Sequence, residues 1–185
     1  MFVTPYDPVW AERGLTLADS LQAALGPLAL RVAHIGSTSV PGMAAKPIYD
    51  LQVSVSDLDI ATAAFGETLT EFGFERRAYT FDHVPAGRDD PQEQWAKRYW
   101  NRRVPGEDQI NLHCRLAGSP NERLALLFRD WFRAHPAAVP AYARFKQQLG
   151  TAVADIYVYT DLKDPVIDVI IVAAEEWAAA TGWTP

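Results

Sequence analysis

A Gly-Ser turn that leads into an acid-bearing hydrophobic strand is the segment of this sequence best suited to chemistry. It spans residues 34–55 and reads His-Ile-Gly-Ser-Thr-Ser-Val-Pro-Gly-Met-Ala-Ala-Lys-Pro-Ile-Tyr-Asp-Leu-Gln-Val-Ser-Val. Backbone N–H groups and hydroxyls of a turn after a strand can hold phosphate oxygens, here from Gly36, Ser37, Thr38 and Ser39. The alternative is an ordinary Gly/Ser turn. A P-loop is excluded because no Gly-Lys-Ser/Thr follows, and the spacing of the glycines does not match a dinucleotide fingerprint.

Asp50 is the acidic residue of this segment, at the start of an apolar run. A carboxylate that is partly buried needs a cation, a lysine or several N–H donors, so a structural pairing with Lys46 is one interpretation. Metal-assisted phosphoryl transfer normally uses two or three carboxylates around Mg²⁺. On a strand, residue 52 shares the face of Asp50, but Gln52 is neutral and only a weak oxygen ligand. The second carboxylate of an ordinary two-metal site is therefore missing.

A second polar set follows one face of the segment 109–116, where Asn111, His113 and Arg115 alternate with apolar residues. If this strand neighbours the one that carries Asp50, His113 can act there as a metal ligand or a general acid/base. The alternative is that the three residues form the solvated side of a half-exposed strand. His34 either orients the Gly-Ser turn, contacts a ligand or has a hydrogen-bonded structural role.

The elements that must position these groups follow from hydrophobic periodicity and from turn residues. We expect strands over residues 28–35, 48–55 and 109–116, with a weaker strand signal from residue 95. Helices are expected from Asp7 to about residue 25, over 57–72, from after residues 118–121 to about 135, over 140–149 and over 161–180. At the start of the last helix, Asp161 is expected to cap, Tyr159 to precede it, and Lys163 to reach an anion. The helix that ends near residue 135 carries Arg129 and Arg133, which are expected on a solvated face. The last helix is expected to turn Val166, Val169, Ile170, Ala173 and Trp177 inward. The chain is thus α/β to about residue 117 and helical over 118–185, without repeats or a linker.

Composition limits the class of protein. The chain has 185 residues, 49% of them hydrophobic and 22% charged, and a formal net charge of −6. This is the profile of a globular protein of one domain, and it argues against a nucleic-acid binder with a broad basic surface, although a locally basic pocket remains open. The start of the chain has no signal-peptide pattern, and Asp168 interrupts the longest apolar stretch, which ends at Glu175. With Cys114 as the single cysteine, we expect a cytoplasmic protein that is not bound to a membrane.

The segment 34–50 is very similar to the signature of the GrpB family, which is grouped with the nucleotidyltransferase superfamily. The resemblance extends over nearly the whole chain, through the segments 5–10, 111–113, 127–136, 142–146 and 159–163. It implies an α+β fold: a mixed-sheet nucleotidyltransferase-like core with a helical C-terminal part, in a single domain over 1–185. Relative to active nucleotidyltransferases, Gln52 departs from the Asp-x-Asp/Glu pattern, and Asn111 and His113 occupy the region of a third acid.

Two functions remain open at this point. In the first, the protein transfers a nucleotidyl or phosphoryl group from a nucleoside triphosphate to a small acceptor. Asp50 would then bind Mg²⁺ or Mn²⁺, His113 would complete the metal shell or move a proton, and Lys46 and Lys163 would offset phosphate charge. In the second, catalysis is lost and the fold binds a nucleotide or another anion. The sequence does not indicate the oligomeric state.

Overall fold

A five-stranded mixed sheet forms the centre of the computed structural model, which describes residues 3–185. The strands are β1 (Arg31–Ile35), β2 (Ile48–Val55), β3 (Phe74–Arg77), β4 (Lys97–Arg102) and β5 (Gln109–Leu116), in the order β1-β2-β5-β4-β3. β2 and β5 are parallel neighbours, whereas the other pairs are antiparallel. The expected mixed-sheet α+β class is confirmed, and the strands that carry Asp50 and His113 are adjacent.

Five α-helices accompany the sheet: α1 (Val9–Leu25), α2 (Leu58–Glu71), α3 (Pro120–Ala134), α4 (Val139–Ala152) and α5 (Ile156–Thr181). The carboxylate of Asp7 accepts a hydrogen bond from the N–H of Val9 at 3.0 Å, as expected near the start of α1. Within residues 3–185, none of the helices combines the length and the apolar composition that crossing a bilayer requires.

Two hydrophobic cores lie on opposite faces of the sheet. The first joins the apolar faces of β2 and β5 to α1 and α2, with Leu51, Leu112, Leu21, Phe65 and Leu69 among its members. The second joins α3, α4 and α5 to Val40, Met43 and Trp95, which precede residue 117. The helical C-terminal part therefore shares its core with the sheet region, because both contribute buried side chains to it.

The N-terminal bounds of two predicted elements are wrong. The first strand begins at Arg31 rather than at residue 28, because Gly26–Leu28 form a short 3₁₀ turn. The last helix begins at residue 156 rather than at 161, because the carboxylate of Asp155 accepts the N–H groups of Tyr157 and Val158 at 2.7 and 3.1 Å. Asp161 is thus an internal helical residue and not the cap. As a consequence, Tyr159 and Lys163 stand one helical turn apart.

Two other local expectations also fail. Val169 is 71% exposed, and Ala173 is exposed as well, although both were expected to face inward. The neighbour of Val169, Asp168, is buried instead: its carboxylate accepts a hydrogen bond from the N–H of Ala86 at 3.0 Å and lies 3.1 Å from Nε2 of His83. Strand β3 is an element that the sequence pattern does not indicate, because its residues Phe-Glu-Arg-Arg show no alternation of apolar and polar side chains.

Candidate functional site

A cavity of about 670 Å³ opens between the polar face of the sheet and helices α4 and α5. Asp50, Asn111 and His113 line it from the sheet, and Ser37 lines it from the turn after β1. Arg77 lines it from β3, the edge strand on the far side. The cavity therefore brings together Ser37, Asp50, Asn111 and His113 from the sequence-predicted site with groups from the helical part, whereas His34, Gly36, Ser39, Gln52 and Arg115 are not among its lining residues.

The strand register sets the centre of the cavity. Asp50 on β2 is the partner of Asn111 on β5, so the two side chains share a face. Nδ2 of Asn111 donates to Oδ1 of Asp50 at 2.7 Å, and the hydroxyl of Tyr99 on β4 donates to Oδ1 of Asn111 at 2.7 Å. Nε2 of His113 lies 3.7 Å from Oδ1 of Asp50. A chain of hydrogen bonds thus runs across three strands to the carboxylate.

Asp50 is ionised at neutral pH, and His113 is neutral. Burial raises the pKa of Asp50, but the hydrogen bond and charge of His113, the amide of Asn111 and the charge of Lys163 lower it by more. Burial, followed by the charge of Arg115, lowers the pKa of His113 to about 4. A neutral His113 lends no positive charge, so its Nε2–H group, the amide of Asn111 and the charge of Lys163 are the groups that favour the carboxylate at neutral pH. The side chain of Asp50 remains 30% exposed and open to the cavity.

Gln52 lies outside the cavity, in a buried polar network. Its side chain is fully buried; Nε2 donates to the carbonyl of Glu122 at 3.2 Å, and Oε1 accepts from Arg115 at 2.6 Å. Arg115 also donates to Asp82 at 2.7 Å, and Asp82 accepts from Lys97 at 2.6 Å. Gln52 and Arg115 therefore connect the sheet to α3 and to the loop before β4 rather than facing a ligand.

The orientation of His113 follows from its contact with Arg115. A guanidinium can only donate, and Nη2 of Arg115 lies 3.4 Å from Nδ1 of His113, so Nδ1 is the acceptor and Nε2 carries the proton. Nε2–H then points towards Asp50 and offers no lone pair to a cation there. Among residues 3–185, no group of three or more His, Cys, Asp or Glu side chains can hold a metal ion. These donors fit Mg²⁺ or Mn²⁺ poorly, and metal binding by Asp50 and His113 stays a prediction.

The Gly-Ser turn has one part that faces the cavity and one that is structural. Gly36 has a φ of +69°, and a Cβ atom there would lie 2.5 Å from Oδ2 of Asp50, so glycine is required for both reasons. Ser37 and Thr38 line the cavity. Ser39 is 1% exposed, and its hydroxyl donates to the carbonyl of Gly36 at 2.6 Å. Thr38 is also 1% exposed and its hydroxyl donates to the carbonyl of Ile48 at 3.4 Å, so Ser37 supplies the hydroxyl that the turn offers to the cavity.

Residues behind the turn hold it in place. Nε2 of His34 lies 2.9 Å from the hydroxyl of Thr38, and its ring fills the space beside Gly14 of α1. Burial, with smaller effects of nearby charges, lowers the pKa of His34 to about 4. Its position is the hydrogen-bonded structural one, and His34 is not among the residues that line the cavity.

Two arginines of α3 also anchor the turn, although their pattern predicted only a solvated face. Arg129 donates to the carbonyl of His34 at 3.2 Å, and Arg133 donates twice to the carbonyl of Ser39, at 3.1 and 2.9 Å. Their spacing of four residues, which places both on one face of the helix, was the available signal.

Lys146 is the functional candidate that the sequence reasoning missed. It is 2% exposed, and Nζ donates to the hydroxyl of Ser37 at 2.8 Å. Burial, then the charge of Lys163, lowers the pKa of Lys146 to about 7. Burial, then Lys163, likewise lowers the pKa of Lys46 to about 8, and Nζ of Lys46 lies 4.1 Å from the centre of the Tyr159 ring. The two lysines, together with Lys163, face the same space.

The cavity is basic although the protein is acidic. The sequence contains four lysines among its 17 basic residues, and all four line this cavity, with the arginines at positions 77 and 103. The carboxylates in the lining are those of Asp50 and Asp161. Since the net charge of the chain is −6, the positive charge is concentrated here.

The chain is similar over most of its length to proteins of one family. Residues 1–172 match the GrpB protein family. The crystal structure of the conserved protein GrpB from Enterococcus faecalis is 31% identical, with a TM-score of 0.75 over 95% of this chain and 99% of that one. The UPF0157 protein BH1888 of Halalkalibacterium halodurans is 33% identical over 90% of this chain and 78% of its own length.

Other relatives are longer or share the fold alone. A protein named dephospho-CoA kinase from Mycobacterium tuberculosis is 34% identical over 99% of this chain, which spans 48% of that relative. The chain thus covers about half the length of the first curated relatives. The Cid1 poly(U) polymerase with magnesium and 3′-dATP is 16% identical, with a TM-score of 0.51 over 78% of this chain and 42% of that one. This likeness shows a fold similar to that of the nucleotidyltransferases.

Proposed function

Starting from the fact that the chain belongs to the GrpB protein family, we propose that it binds a nucleoside triphosphate or a related polyphosphate in the lysine-lined cavity. The observation that carries this proposal is Lys146, a buried ammonium group whose hydrogen-bond partner is the neutral hydroxyl of Ser37. An ammonium group buried without an ion pair is costly, and an anion in the cavity would remove that cost.

The surroundings of Lys146 match the charge and the shape of a polyphosphate. Lys46 and Lys163 lie close enough to Lys146 to depress its pKa by repulsion. The hydroxyl of Ser37 adds a donor beside them. Several phosphate oxygens can therefore be met at once, by ammonium groups and by this hydroxyl, which favours a polyphosphate over a single carboxylate.

A second candidate function is transfer of a nucleotidyl or phosphoryl group to a small acceptor. It is favoured by Asp50, an ionised carboxylate that opens into the same cavity next to the N–H group of His113. In this proposal Asp50 takes the proton of an acceptor hydroxyl, whose oxygen forms a bond to the attacked phosphorus. The bond from that phosphorus to the bridging oxygen breaks, and pyrophosphate, or the nucleoside diphosphate in phosphoryl transfer, leaves towards the lysines. Since the donors fit a divalent ion poorly, no step is assigned to Mg²⁺ or Mn²⁺.

The test of binding is a thermal-shift and calorimetric panel of ATP, GTP, CTP, UTP and dephospho-CoA. The last compound is included because relatives of about twice this length carry the dephospho-CoA kinase name. A ligand at about 100 times its Kd stabilises the folded protein by about 2.7 kcal/mol. We expect such a shift for the wild type, its loss in Lys146→Met, and its retention in Arg144→Gln, which removes an equal charge from an exposed position of the same helix. No shift with any member of the panel would contradict the proposal.

We also propose that the protein acts in the cytoplasm. Cys114 is the single cysteine and a buried free thiol, which suits a reducing compartment. Burial raises its pKa to about 12, so it is unreactive as a thiolate. Fractionation of cells that express a tagged chain tests this location.

A further inference from the structure

We propose that the lysines of the cavity, and not a divalent metal ion, neutralise the bound polyphosphate, so that the protein binds the metal-free nucleoside triphosphate more tightly than its magnesium complex. The inference rests on the proposed polyphosphate binding and adds the form of the ligand to it.

The first argument is the placement of the cations. Lys146 reaches the turn from α4, Lys163 comes from α5, and Lys46 precedes β2. Three ammonium groups therefore enter the cavity from three separate segments, and Nζ of Lys146 lies 2.8 Å from the Ser37 hydroxyl. A fourth, Lys97, is paired with Asp82 at 2.6 Å and belongs to the structural network.

The second argument is that the groups which would hold a metal ion are engaged elsewhere. Gln52 is bound to Arg115 and to the carbonyl of Glu122. His113 presents a protonated Nε2 because Arg115 donates towards Nδ1. Asp50 is the one carboxylate that the sheet contributes to the cavity, since Asp161 comes from α5, and one carboxylate without a second on a neighbouring strand position is a weak site for Mg²⁺.

The third argument is the use of lysine in this chain. Thirteen of the 17 basic residues are arginines, and every one of the four lysines lines the cavity. Arginine forms flat, bidentate pairs, as Arg123 does with the two carboxylate oxygens of Glu175 at 2.6 and 2.9 Å. An ammonium group is a compact charge with three donors, which suits phosphate oxygens that approach from several directions.

Charge arithmetic gives the direction of the effect. At neutral pH free ATP carries about four negative charges and its magnesium complex about two, so the lysines attract the complex less strongly. We expect the magnesium complex to bind about tenfold more weakly than free ATP, or worse.

The experiment is isothermal titration calorimetry at constant ionic strength, with ATP and inorganic tripolyphosphate as probes, in EDTA and in excess Mg²⁺. The wild type is compared with Lys146→Met, Asp50→Asn and Arg144→Gln. We expect tighter binding in EDTA, a loss of at least tenfold in Lys146→Met and no change in Arg144→Gln. Asp50→Asn should tighten the binding of free ATP several-fold, because it removes a negative charge that faces the phosphates.

The outcomes separate the two proposals. Binding that requires Mg²⁺, or that Asp50→Asn abolishes, overturns the metal-free inference and leaves the proposed polyphosphate binding intact. Absence of binding by both probes in both conditions overturns both.

Discussion

Replacing Lys146 by methionine is expected to stabilise the unliganded protein at neutral pH while it removes anion binding. Lys146 is 2% exposed, and the charged groups that act on it are Lys163 and Lys46, which repel it, and Asp50, which attracts it. Its burial therefore lowers the free energy of unfolding whenever the amine is protonated and no anion is bound. Methionine has a similar length and carries no charge, so the variant avoids this cost.

The size of the effect follows from the pKa. The difference between an ordinary lysine pKa of 10.5 and about 7 for Lys146 corresponds to about 5 kcal/mol, at about 1.36 kcal/mol per pH unit. Loss of the hydrogen bond to Ser37 reduces this gain by about 1 kcal/mol, and imperfect packing of the methionine reduces it by about 1 kcal/mol more. The net gain in the free energy of unfolding at pH 6.5 is then about 3 kcal/mol.

The effect must also depend on pH in one direction. Between pH 7 and 10.5 the unfolded wild-type chain holds the Lys146 proton and the folded chain does not. The contribution of this group to wild-type stability therefore rises with pH across that window, is lowest below pH 7, and is constant above pH 10.5. The advantage of Lys146→Met should shrink as the pH rises from 7.

Urea unfolding at pH 6.5, 8 and 9.5 measures this, with Arg144→Gln as the matched control for a lost positive charge. The control is expected to stay within about 0.5 kcal/mol of the wild type, as exposed substitutions do. The reasoning is refuted if Lys146→Met is less stable than the wild type at pH 6.5, or if the difference between the two does not change with pH.

Three further substitutions test the site. Gln52→Glu should lower stability by about 1–3 kcal/mol, because a carboxylate would face the carbonyl of Glu122, and it should add no Mn²⁺ affinity by calorimetry; a new Mn²⁺ site would contradict the placement of Gln52. Gly36→Ala should lose about 1–3 kcal/mol, since φ is +69° and the new Cβ would strike Asp50; urea unfolding that matches the wild type would be inconsistent with this geometry. Asp82→Asn should cost about 3–5 kcal/mol in urea unfolding, because it leaves two buried cations without their counter-charge, and a loss under 1 kcal/mol would argue against that network.

The two strands that frame the site could be predicted because their own residues define them. Strand β2 follows a proline, and both β2 and β5 alternate apolar and polar residues, so the expected bounds 48–55 and 109–116 agree with the structure. The start of α5 could not be placed in the same way. Its first residues include the β-branched Ile156 and Val158, whose weak helix propensity hides the cap at Asp155.

The sequence by itself determined the family, the mixed-sheet class, the Gly-Ser turn and the acid that follows it, since these depend on local periodicity and on a contiguous signature. Only the tertiary structure decided which polar residues share the cavity. Lys146 meets Ser37 across 109 residues of chain, and Gln52 meets Glu122 across 70. Such contacts arise from the packing of α3 and α4 against the sheet, and no periodicity in either segment encodes them. For that reason Gln52, which stands where a second carboxylate is missing, connects the sheet to α3. Lys146, which the sequence offered only as the last residue of the family segment 142–146, lies beside the turn.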